Sequence, residues 1–142
     1  MPNELTPDEN ALLLQRLAAI GEAAHHGGGL GARLAGRLLR PDIFETSVTL
    51  PRPVGEAVGQ VGRILAGLGI PVPMTSHGGR TLRAMIGAGA LNLNPAVVTV
   101  SLTGAGWEAT VARIRGVAKE GLIRQHAGRK AAERVARALR TA

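Results

Sequence analysis

Two arginines separated by one residue, Arg113 and Arg115, are the first side chains whose type and spacing could do chemistry. On a strand, residues i and i+2 share a face, and two guanidinium forks side by side suit a carboxylate or a phosphate. If Trp107, Ala109 and Val111 face the core of a strand running 107–115, strict alternation turns both arginines inward, as an anion site between sheet and helix. The favoured alternative is a bulge that shifts the register, bringing Ile114 inward and the arginines out. A second basic set, Lys130, Arg134 and Arg137, shares one face of a C-terminal helix whose other side carries Ala127, Ala131, Val135 and Leu139. Such a face can track the phosphates of nucleic acid or of anionic lipid. The preferred reading is simpler: a solvated outer face, with Glu133 and Arg137 as a supporting i, i+4 pair.

Other candidate groups are weaker. Glu22, His25 and His26 put a carboxylate and two imidazoles on one helix side, which is at most half of a metal site; a polar helix end is preferred. Gly27-Gly28-Gly29-Leu30-Gly31 follows a helix rather than a strand and lacks the Lys-Ser/Thr of a phosphate loop, so it reads as a linker. Ser47, Ser76 and Ser101 have no elbow motif, and Asp42, Glu45, Glu56, Glu108, Glu120 and Glu133 show no acid/base pairing in the sequence. The expectation is therefore no catalytic residue, no metal and no cofactor, and it leans against an enzyme.

The elements that must position these residues are set by composition and pattern. The chain has 142 residues, a net charge of +7, no Cys, no Tyr, one Phe and one Trp. That length suits one domain with a short extension. Without Cys there is no disulfide scaffold, thiolate metal site or Cys nucleophile, and so few aromatics cannot build a base-stacking platform. The charge is concentrated: residues 1–40 balance, residues 41–106 carry one excess cation, and residues 107–142 hold nine basic residues against three acids. No basic leader follows Met1, and the long uncharged stretch Ala84–Gly106 is interrupted by Asn92, Asn94, Pro95, Thr99 and Ser101. The expected location is cytoplasmic.

Thr6-Pro7-Asp8-Glu9 opens a helix with a capping hydroxyl, Pro at the first position and acids in the first turn. Leu13, Leu17 and Ile20 continue it toward the glycine run. Residues 30–40 read as a second short amphipathic segment, stopped by Pro41. Residues 1–41 are thus expected to be a helical extension with a glycine-rich hinge, and residues 42–142 a single α+β domain. In that domain Phe44, Thr46, Val48 and Leu50 alternate as a strand, and Ala57, Val58, Val61, Ile64, Leu65 and Leu68 form one helical stripe ended by Gly69. Ile70–Ser76 is a proline-spoiled edge strand; Thr81–Ala88, Ala96–Leu102 and Trp107–Arg115 are further strands; Lys119–Leu139 is the last helix. The predicted fold is an antiparallel sheet of four or five strands covered on one face by two helices, in the order β-α-β-β-β-β-α. Glu45, Ser47, Thr49, Thr99, Ser101 and Thr110 are expected on the outer face.

A strand ending in Val48-Thr49-Leu50-Pro51, a helix ending in Leu68-Gly69, further strands, then Thr110–Arg115 and an Ala-rich helix together resemble small bacterial β-α-β-β-β-α domains of unknown function, often found in lipoproteins. The first strand and helix also resemble the start of helix-grip (START-like) domains, and that resemblance implies an apolar ligand held between sheet and helix. It covers roughly residues 43–140. No lipobox Cys is present, and no catalytic residue transfers.

The functional expectation is a small non-catalytic binding or interaction module of unidentified partner. The alternatives are a basic nucleic-acid-associated protein using its C-terminal helix, and a protein of anionic membrane surfaces acting through residues 30–40; neither is favoured. An edge strand and the N-terminal helix offer surfaces for a homodimer.

Overall fold

A computed structural model describes residues 4–24, 39–74, 80–88, 94–120 and 124–142. The glycine run, most of the 30–40 segment, His25, His26 and His77 lie outside the described residues.

Helix α1 (Pro7–Ala24) precedes β1 (Arg40–Leu50), α2 (Val54–Leu68), β2 (Ile70–Val72), β3 (Thr81–Ala88), β4 (Asn94–Gly104), β5 (Thr110–Glu120) and α3 (Ala127–Thr141). The strands form one five-stranded antiparallel sheet in the order β1-β5-β4-β3-β2. This is the α+β architecture expected, with the proline-bearing β2 at an edge, where a missing backbone donor costs least.

The alternation in β1 buries Val48 and Leu50 in the helix-covered core, with half-buried Phe44 packed against the same cluster. From α2 the stripe Ala57, Val61 and Leu65 enters that core, and α3 contributes Ala127, Ala131, Ala132, Val135, Ala136 and Leu139. Small residues let α3 lie close on the sheet. At Gly116 of β5, an added Cβ would run into the Gly128 carbonyl and come within 2.8 Å of the Ala132 Cβ.

The last strand and the last helix depart most from the sequence reading. The last strand is Thr110–Glu120 rather than Trp107–Arg115, because the β4–β5 hairpin turns through 105–109, closed by the Ala105 N–H donating to the Ala109 carbonyl at 2.8 Å with Gly106 at φ 99°. Trp107 sits on that turn, 96% exposed, and is not a core residue. Lys119 and Glu120 continue β5, paired with Pro41 and Arg40 of β1, so α3 begins only at Ala127. Its start is held by two carboxylates: Glu120 accepts from the Gln125 and Ala127 N–H groups, and Asp42 from the Arg129 N–H. Acids suit the positive end of a helix dipole.

Candidate functional site

With β5 beginning at Thr110, Thr110, Ala112, Ile114 and Gly116 face the two-helix core and Arg113 and Arg115 face the other way. The pairing register of β5 with both neighbours is continuous, so the outward arginines follow from where the strand starts rather than from a bulge. Thr110, expected outside, is fully buried opposite Leu50, and its hydroxyl donates to the Arg52 carbonyl at 2.9 Å.

Cross-strand register then writes the outer face. One row across β1, β5, β4 and β3 is Glu45, Arg115, Thr99 and Arg83. The next is Ser47, Arg113, Ser101 and Thr81. On the other side of the first row the positions turn apolar, with Ile43, Val117, Val97 and Met85 in line. Helix α1 covers that apolar part: Leu13 packs on Val97 and Val117 in a second buried cluster, joined by Leu5, Leu12, Ile43 and Met85. The polar rows stay open as a depression of about 450 Å³ lined by Thr6, Glu45, Thr99, Ser101, Arg113 and Arg115.

The two arginines in it are electrostatically different. Arg115 donates from Nε to Glu9 Oε1 at 2.9 Å, from Nη2 to Glu9 Oε2 at 3.2 Å, and from Nη1 to Glu45 Oε1 at 3.1 Å. Its Nη2 also reaches the Glu4 carbonyl. Glu9 closes a capping box, with the Thr6 N–H donating to Glu9 Oε2 at 2.9 Å and the Glu9 N–H donating to Thr6 Oγ1 at 3.2 Å. Burial pushes the Glu9 carboxyl up, but the bonds from Arg115 and from Thr6 together with the Arg115 charge outweigh it and hold it below the usual range. The bond to Glu9 raises Arg115 against the opposing effect of burial. Arg115 therefore fastens α1 to the sheet. Arg113, exposed in the next row, has no ion pair or side-chain hydrogen bond with any described residue. Arg83 spends its Nε on Thr99 Oγ1 at 2.9 Å.

The second basic set lies on the opposite side of the molecule. Lys130, Arg134 and Arg137 are exposed on the outer face of α3, away from its buried side. Glu133 pairs with Arg129 at 2.8 Å rather than with Arg137. His126 immediately precedes α3, 3.6 Å from Asp42. No cluster of three or more potential metal ligands occurs among the described residues, and no described helix is long and apolar enough to cross a membrane.

Docking of α1 on the outer face is the feature that sequence reasoning missed. The signal was present: Ala96-Val97-Val98 and Gly116-Val117-Ala118 are continuous apolar runs, which mark strands covered on both faces.

No protein-family model matches the chain, and no curated protein does. Among solved structures it is similar to DynU16, a protein of the dynemicin biosynthetic locus, at 22% identity and a TM-score of 0.38 over 70% of this chain; the chain spans 48% of DynU16. It is also similar to the Mll3558 protein from Rhizobium loti, at 16% identity and a TM-score of 0.40 over 72% of this chain and 97% of that one. Likenesses this distant name no activity for the chain.

Proposed function

We propose that the chain is a small non-catalytic binding module whose outer sheet face takes an anionic group, a carboxylate or a phosphate, at Arg113. The observation that carries this reading is the contrast on one strand: Arg115 is committed to Glu9 and Glu45, while Arg113 stands without a described partner in the same depression. Ser47 and Ser101 flank Arg113 across the register and supply hydroxyl donors beside a guanidinium that can grip an anion with two bonds. The helix-grip resemblance would instead put a ligand between sheet and last helix; the close packing of Gly116 on Gly128 argues for the outer face.

The test is an NMR titration with inorganic phosphate and with succinate. Saturable shifts of the Ser47, Ser101 and Arg113 amides are expected. Arg113→Ala should weaken binding by about 10- to 100-fold, the worth of one strong charge-assisted contact. Absence of saturation at millimolar ligand, or equal affinity in the variant, would overturn the reading.

A further inference from the structure

We propose that the outer face of α3 is a contact surface for the phosphate backbone of double-stranded nucleic acid. It is separate from the Arg113 depression, because α3 and that depression lie on opposite faces of the sheet.

The seven buried residues of α3, Ala127 through Leu139, fix which side of the helix is free. Opposite them run Lys130, Arg134 and Arg137, spanning about 10 Å of helix axis at 1.5 Å per residue. None of the three has a described acid partner. Glu133, the acid within α3, is held by Arg129 and leaves the stripe uncompensated. Unpaired cations in a row on a rigid, sheet-backed helix complement a polyanion whose charges repeat along a line.

The same geometry argues against a bilayer. A helix lying in a membrane surface needs an apolar face to bury in it, and the apolar face of α3 is already used against the sheet. The exposed positions of the helix are Arg129, Lys130, Arg134, Arg137, Arg140 and Thr141, with no apolar side chain to insert. The exposed face also lacks an aromatic ring for stacking on unpaired bases, which leaves backbone contact to a duplex.

The experiment is fluorescence anisotropy with two 25-base-pair DNA duplexes of unrelated sequence, titrated with the full chain at several salt concentrations. Three neutralised phosphates predict a slope of log K against log salt of about −2.7, so affinity falls about 40-fold between 50 and 200 mM salt, equally for both duplexes. The triple variant K130A/R134A/R137A, its fold checked by circular dichroism, should lose binding, whereas R134K/R137K should keep the slope because a backbone contact reads charge. An absence of binding at 50 mM salt, an unchanged slope in the triple variant, or binding to phosphatidylserine vesicles without binding to duplex would each overturn the proposal. Arg113 takes no part in this readout, so failure here and failure of the anion site are distinguishable.

Discussion

Replacing Glu9 by Gln tests whether one carboxylate holds α1 on the sheet. Its two oxygens serve three donors: Arg115 Nε, Arg115 Nη2 and the Thr6 N–H. A glutamine has one carbonyl oxygen, so it can keep the capping box or the arginine but not the whole set, and its amide group would face a donor. Hydrogen bonds to charged groups contribute about 1.5–3 kcal/mol each when broken. The neutral side chain loses less on burial, and Arg115 retains Glu45, both of which soften the effect. The expected net loss is about 2 kcal/mol, a factor of about 30 in the equilibrium between docked and undocked α1. Hydrogen exchange of the α1 amides reads that equilibrium directly, and protection there should fall about 30-fold while β4 and β5 change less. The effect has a pH signature. The Glu9 carboxyl is held below its ordinary value of 4.5 in the folded chain, so its contribution is complete above that value and disappears as pH falls through the folded one. Wild type and Glu9→Gln should therefore differ at pH 7 and converge once the pH has fallen below the lowered folded value of Glu9. Equal protection at pH 7, or a difference that persists unchanged in acid, would refute the assignment of Glu9 and Arg115 as the fastening.

Two further substitutions probe the packing. Gly116→Ala places a methyl against the Gly128 carbonyl and 2.8 Å from the Ala132 Cβ, so urea denaturation should show a loss of about 1–3 kcal/mol as α3 is pushed off the sheet. Trp107→Ser removes the one Trp from a 96% exposed turn position and should change the unfolding free energy by less than about 0.5 kcal/mol; a large loss would mean that the indole is packed rather than in water.

The parts of the fold legible in the sequence are those set by local pattern. The alternation of β1, the α2 stripe and the glycine after it can each be read within a single element, because the side that faces the core repeats with the period of the backbone. The end of β5 could not be read this way. Lys119 and Glu120 favour helix on their own, but they pair with Pro41 and Arg40, and that partner strand lies far away in the chain. Glu120 then serves the N-terminus of α3, a role with no signature of its own at that position. Trp107 misled for a related reason. A large apolar residue at the head of an alternating run predicts burial, whereas the hairpin needs the segment 105–109 for its turn and leaves the indole on it.

The candidate site shows the same division more sharply. Arg113 and Arg115 have the same side chain, share a strand face and differ by one step along it, so nothing local separates a structural guanidinium from a binding one. The separation is made by carboxylates 106 and 70 residues away, Glu9 and Glu45, which converge on Arg115 and leave Arg113 to the adjacent row of hydroxyls. What the sequence could have supplied is the other half of the argument. Ile43, Val97 and Val117 line up as an apolar row beside the polar row of Glu45, Arg115 and Thr99, and an apolar strip of that kind must be covered. Once it is covered by the helix that begins at Pro7, Glu9, one of two acids in the first turn of that helix, comes to lie over β5. Burying Glu9 is then tolerable only against a cation, and Arg115, next to the apolar strip, is the residue placed to supply it.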